Sequence, residues 1–157
     1  MFAHIAIRRG QHQQMIKAKL PDRYYLILFG LGPVFWLADY SYNPLQFHWH
    51  WPWSDPIRFG MQIVIYPVLE EIVFRGLLLE WLSKRFAQRI GWFSLVNILT
   101  SLMFAALHLF HQSLLWSALI FFPSLVFGFS KERYLTLWAP IGLHCWYNLG
   151  FIWVFWL

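Results

Sequence analysis

Six polar side chains sit inside apolar runs, where an ionisable or amide group finds little water. They are Glu70, Glu71 and Arg75 in "IYPVLEEIVFRGLLLEW", His108 in "FAALH", and His144 and Asn148 in "HCWYN". A charge at the centre of a transmembrane helix costs roughly 2.5 to 3.5 kcal/mol on insertion scales, so each such group needs a partner or a function. Glu71 and Arg75 are four residues apart, share a helical face and can neutralise each other within one helix. Glu70 points about 100° away and is left for a partner on another helix. Phe104 with His108, and His144 with Asn148, are likewise one turn apart on two further runs. In a bundle with no apolar force between helices, such groups converge on one another or on a water-filled cavity. A carboxylate, two imidazoles and an amide around such a cavity are suited to activating water and stabilising an oxyanion.

The elements that must position these residues follow from composition. A length of 157 residues favours one domain. Hydrophobic residues make up 59% and charged residues 12%, against roughly 25% charged in ordinary soluble domains. Eleven tryptophans suit membrane–water interfaces. A net charge of +5 would also fit nucleic acid, but the basic residues lie in short segments between apolar runs. That is the pattern of loops facing anionic headgroups, so the lipid bilayer is the expected neighbour and nucleic acid is not. Cys145 is alone, which excludes an intrachain disulfide.

Residues 1–23 form a basic segment carrying Arg8, Arg9, Lys17, Lys19 and Arg23. The apolar run from Tyr24 to Ala38 is too poorly ended for a cleaved signal peptide, because "WLA" puts Trp36 where a small residue is needed. It reads as a retained anchor extending to Tyr42, followed by an aromatic outer loop, so that 24–58 form one unit. Four more runs, about Phe59 to Leu82, Trp92 to Phe110, Ser113 to Phe129, and Tyr134 to the C-terminus, make up residues 59–157. Each approaches the ~17 to 25 residues of a spanning helix. With the N-terminus inside, ten of the twelve basic residues fall on the inner side, Arg58 alone lies outside and Arg75 lies within the membrane. The expected fold is therefore all-α: a polytopic bundle of five spanning helices, N-in and C-out.

Two features invite other readings. His48 and His50 alternate with Trp49, Trp51 and Trp53, which suits a metal pair less well than an aromatic belt at the interface. His111 reads as a solvated loop residue, and Cys145, beside Trp146, as a packing residue and not a nucleophile.

The three motifs, taken together, carry a resemblance. "EEIVFR" matches EExxxR, "FAALH" matches FxxxH and "HCWYN" matches HxxxN, in that order along residues 60–157. The chain resembles the CPBP family of intramembrane proteases, which includes the type II CAAX prenyl-proteases and many bacterial relatives. The resemblance implies that Glu70 activates the hydrolytic water, that His108 positions or deprotonates it, and that His144 and Asn148 stabilise the oxyanion. Glu71 and Arg75 would support the site electrostatically. It further implies a glutamic chemistry with no metal and no cofactor, a membrane-anchored protein or peptide as substrate, and a bacterial inner membrane as location. The larger prenyl-protein proteases carry additional spanning helices, whereas one run precedes the first motif here. Minimal members resemble proteases that process C-terminal sorting signals.

Two rival functions use the same residues. Glu70, Glu71, His108 and His144 form a conceivable ligand set for a metal-dependent hydrolase, although no HExxH spacing is present. A non-catalytic membrane binding or immunity protein would use the cluster as a ligand site; the complete motif set weighs against a degenerate one.

Overall fold

Apolar runs become helices in this chain, and the residues that interrupt them decide where each helix stops. A computed structural model describes residues 20–40 and 51–155. The basic tail as far as Lys19, and His48 and His50, lie outside the described residues.

Helix α1 spans Arg23–Tyr40. Asp22 starts it: its carboxylate accepts from the Tyr25 N–H at 2.9 Å and its carbonyl from the Leu26 N–H at 3.1 Å. After a short helical turn, Trp51–Ser54, Asp55 accepts from the Arg58 N–H at 3.0 Å and opens the second helical run. That run, here α2, covers 56–83 as Pro56–Gly60, Met61–Ile65, Tyr66–Glu71, Ile72–Leu78 and Leu79–Ser83. The second and fourth of these segments are π-helical. A small antiparallel hairpin follows, β1 at Arg89–Ile90 and β2 at Phe93–Ser94. Then come α3 at Leu95–His108, α4 at Leu114–Tyr134 and α5 at Trp138–Phe155.

Helices thus dominate, as expected from the sequence, but several begin or end elsewhere. Trp92 is apolar yet sits in the hairpin turn, because Gly91 takes a left-handed φ of 60° there. Ser94 then accepts from the Asn97 N–H at 2.9 Å, and α3 starts only at Leu95. Tyr134 closes α4 and does not open the last run, because Leu135 is left-handed at φ 54° and ends the helix. Among the described residues, one helix, α4, is long and apolar enough to cross a membrane by length and composition. Arg23–Leu37 and Leu95–His108 are apolar but shorter, and the 56–83 run is divided by its π-helical segments. Apolar runs in this chain are longer than the individual helices they build.

Phe127 of α4 packs with Leu143 and Tyr147 of α5, and Tyr25, Leu28, Leu31 and Phe35 of α1 close over them. Trp36 of α1 fills a socket at Gly150, where an added Cβ would lie 1.9 Å from its ring, and its indole N–H donates to the Tyr147 carbonyl at 3.0 Å. At the other end of α1, Asp22 accepts from Arg133 at 2.7 Å and from the Tyr134 hydroxyl. Desolvation pushes the Asp22 carboxyl up, but the hydrogen bonds from Tyr134, Arg133 and the Tyr25 N–H outweigh it and hold it well below the usual carboxylate range.

Between α3 and α4 the glue is polar. Asn97, fully buried, donates to the Leu125 carbonyl at 3.0 Å and accepts from Ser101 at 3.2 Å. Gly128 makes room for it, since a Cβ there would stand 1.9 Å from Asn97 Oδ1. Small and amide side chains at helix contacts are how membrane helices associate without an apolar driving force. Gly128→Ala should therefore lower stability by about 1 to 3 kcal/mol through overpacking. Thermal unfolding in detergent checks this, and an unchanged midpoint would mean that Asn97 can turn aside.

Candidate active site

Glu70 and Glu71 are neighbours in sequence with opposite surroundings. Both end the α-helical segment Tyr66–Glu71, which is set between the two π-helical ones. In the first π segment the Tyr66 N–H reaches back five residues to Met61 O; at the end of the second, the Leu79 N–H does the same to Phe74 O. Each step adds a residue to a turn and re-phases the side chains beyond it, an irregularity common at functional sites.

Glu71 is sealed, with no exposed surface. Its Oε1 accepts from Arg75 Nη1 at 2.8 Å and from His144 Nδ1 at 2.8 Å. Arg75, equally buried, donates through Nη2 to both the carbonyl and the hydroxyl of Ser124 on α4, at 2.9 and 2.7 Å. Its guanidinium also lies 4.9 Å from the Phe104 ring centre and 5.5 Å from that of Phe127. The i, i+4 pair expected from the sequence is present, and it is one link in a longer chain. Ser124, Arg75, Glu71 and His144 tie α4, α2 and α5 together.

His144 is held on three sides. Glu71 takes Nδ1–H, Phe127 stacks on the ring at 4.6 Å and 20°, and Phe104 stands edge-on at 5.8 Å. This turns Nε2 toward Glu70, whose Oε2 lies 3.5 Å away. That is an ion-pair distance, longer than a well-formed hydrogen bond. The Glu70 side chain keeps 35% of its surface exposed. Of the two carboxylates, only Glu70 opens outward.

His108 closes α3. Its Nδ1 lies 2.8 Å from the Phe104 carbonyl, and since a carbonyl only accepts, that nitrogen carries the hydrogen and Nε2 is left to accept a proton. The Phe104 ring, 4.7 Å from that of His108, packs against both imidazoles and so joins α3 to the cluster. Asn148, one turn beyond His144 on α5, donates from Nδ2 to the Gln62 carbonyl at 3.0 Å. All six residues picked out from the sequence thus lie on α2, α3 and α5. Glu70, Glu71, Arg75 and His144 form a continuous contact chain, while His108 and Asn148 are joined to it through Phe104 and through α2.

Three contributors carry no motif: Ser124, Phe127 and Gln62. Ser124 leaves one trace in the sequence, a hydroxyl directly after Pro123 inside an apolar run. Phe127 is one phenylalanine among sixteen, and Gln62 contributes a backbone atom that every residue has. Among the described residues, no group of three or more His, Cys, Asp or Glu side chains is arranged to hold a metal ion. Cys145 is half-buried and lies outside the contact chain.

Removing one partner of a buried pair strands the other charge, which is destabilising by about 3 to 5 kcal/mol. Arg75→Ala is therefore expected to cost stability on that scale. Arg75→Lys should fall between Arg75→Ala and wild type, because one ammonium cannot fork between Glu71 and Ser124. Thermal midpoints in detergent distinguish the three proteins, and a wild-type midpoint for Arg75→Ala would show that Glu71 is not held as an ion.

Comparison with known protein families matches residues 51–150 to the type II CAAX prenyl endopeptidase Rce1-like family. No curated protein and no solved structure gave a match. The matched region contains all six site residues, from Glu70 to Asn148, together with Ser124, Phe127 and Gln62. Sequence motifs, helical architecture and a match over well over half of its length agree that the chain belongs to the Rce1-like family of type II CAAX prenyl endopeptidases, which are membrane-embedded proteases.

Proposed function

We propose that this chain is an intramembrane endopeptidase of glutamic type, in which Glu70 activates the water that cleaves a peptide bond. The observation that carries this reading is the inequality of the two glutamates. Glu71 is sealed against Arg75 and His144, whereas Glu70 is partly open and faces His144 Nε2. A general base must reach its water, and a carboxylate with no exposed surface, closed in by Arg75 and His144, cannot.

In the proposed mechanism Glu70 takes a proton from water as the oxygen attacks the scissile carbonyl carbon. His108, with Nε2 free, orders that water or shares its proton. Asn148 donates to the oxyanion of the tetrahedral intermediate, and so does His144 in its imidazolium form, in which Nε2 carries a hydrogen while Nδ1–H stays on Glu71. The C–N bond then breaks, and the proton held at Glu70 passes to the departing amine, which restores the carboxylate. Glu71 and Arg75 touch no reacting atom; they fix the imidazole of His144.

The substrate class is a membrane-anchored protein or peptide. The family's description points to prenylated CAAX C-termini, and a C-terminal sorting signal of a surface protein is the second candidate. The reading places five spans in a bacterial inner membrane, N-in and C-out, with 1–23 cytoplasmic, 24–58 as an anchor and outer loop, and 59–157 as the protease core.

The test is co-expression of wild type, Glu70→Gln and His108→Ala with two sets of membrane-anchored reporters, one prenylated at a CAAX box and one carrying sorting signals. Cut termini are mapped by mass spectrometry. Wild type should cleave one set, and Glu70→Gln should lose about 10²-fold or more. Retained cleavage in Glu70→Gln would sink the assignment. A second prediction separates glutamic from metal-dependent hydrolysis: cleavage by purified wild type should persist in strong chelators, and a loss restored by added zinc would favour the metal.

A further inference from the structure

The contact between Asn148 and Gln62 has a cause in the helix that receives it. In an α-helix the Gln62 carbonyl would accept from the Tyr66 N–H. Here the Tyr66 N–H donates to Met61 O, in π-helical register. In that register the donor for Gln62 would be residue 67, and residue 67 is a buried proline with no N–H. The Gln62 carbonyl has therefore lost its helical donor at both spacings. A helix in an apolar bundle cannot leave such a group to water, and a side chain on a neighbouring helix must satisfy it. Asn148 does so from α5, at 3.0 Å.

We propose that Pro67 is a positioning residue of the active site: by orphaning the Gln62 carbonyl it captures the Asn148 amide and fixes its orientation. Only the NH₂ side of the carboxamide can meet a carbonyl, so Nδ2 must point at Gln62. One of its two hydrogens is used there, and the direction of the other is set. Asn148 and His144 lie one turn apart on α5, and their partners Gln62 and Glu71 lie on either side of Glu70 along α2. Two rungs thus hold α5 to α2 around the proposed base, and Pro67 creates the first of them. Neither Pro67 nor Gln62 belongs to the three motifs, and neither touches a reacting atom. The kinetic consequence rests on the proteolytic reading above; the structural one does not.

A double-mutant cycle between Pro67→Ala and Asn148→Ala tests this on the full chain in detergent. Pro67→Ala restores an N–H able to reach the Gln62 carbonyl, so Asn148 should no longer be needed there. Asn148→Ala should lower the thermal midpoint by roughly 3 to 8 °C in the wild-type background, and by less than half of that in the Pro67→Ala background. If Asn148→Ala folds only when combined with Pro67→Ala, the rescue supports the proposal still more directly. Equal losses in the two backgrounds, or failure to fold in both, would overturn it. The second readout is cleavage of a farnesylated CAAX peptide: Pro67→Ala alone should reduce kcat roughly tenfold at nearly constant KM, because the amide is released but the substrate site is not. An unchanged kcat would remove Pro67 from the machinery. If wild type leaves that peptide uncut, the fault lies with the proteolytic reading, and the thermal cycle still decides whether Pro67 sets the Asn148 contact.

Discussion

A fully buried carboxylate is the constraint around which this bundle is arranged. Glu71 has no exposed surface, and an ion in such surroundings persists only if its partners are close and well aligned. Arg75 supplies one from the same helix and His144 another from α5, while Nη2 of Arg75 in turn donates to Ser124 of α4. Three helices are thereby held in one register by hydrogen bonds that none can drop singly. Apolar side chains alone could not do this within lipid, because they pack about as well against acyl chains as against each other.

The irregularities of the helices serve the same end. Two π-helical segments flank the Glu70–Glu71 pair, and the first runs into Pro67, which leaves a backbone carbonyl for Asn148 to satisfy. On α4 the carbonyls of Ser124 and Leu125 also accept side-chain donors, from Arg75 and Asn97. Backbone carbonyls, one of them freed by a π turn and a proline, thus become the acceptors through which side chains of other helices dock. Between α1 and α5 close fit joins the polar contacts: Trp36 seats against Gly150 while its indole N–H donates to the Tyr147 carbonyl, so that α1 lies along α5 at a distance no larger residue would permit.

The adjacent glutamates divide their work by burial. Glu71 is fully buried, with Arg75 and His144 both on its Oε1, and acts as part of the scaffold, while Glu70 is 35% exposed and lies opposite His144 Nε2. The same imidazole meets both. Because Glu71 holds Nδ1, the nitrogen presented to Glu70 is chosen by the scaffold and not by the reacting groups. This gives physical content to a doubled glutamate in an apolar helix: one charge positions, the other is available for chemistry.

Much of this is legible in the chain alone. Low charge content, the apolar runs and the spacing of Glu71 with Arg75 dictate helices and one intrahelical pair, because a helical face and the dielectric of lipid leave few alternatives. The three motifs point to the six polar residues, since an ionisable group in an apolar run is anomalous wherever it occurs. What the sequence could not determine are contacts between residues far apart along the chain. That His144 bridges both glutamates, that Ser124 anchors Arg75, and that Asn148 answers a carbonyl orphaned at Pro67 depend on how α2, α4 and α5 pack. Exact helix boundaries were also beyond it, because Gly91 and Leu135 take left-handed turns at the edges of apolar stretches, where hydrophobicity alone does not mark the first or last helical residue. Periodicity reports the face of one helix, and only tertiary structure decides which face meets which, because that choice is made by the fit of whole surfaces and the satisfaction of every buried polar atom at once.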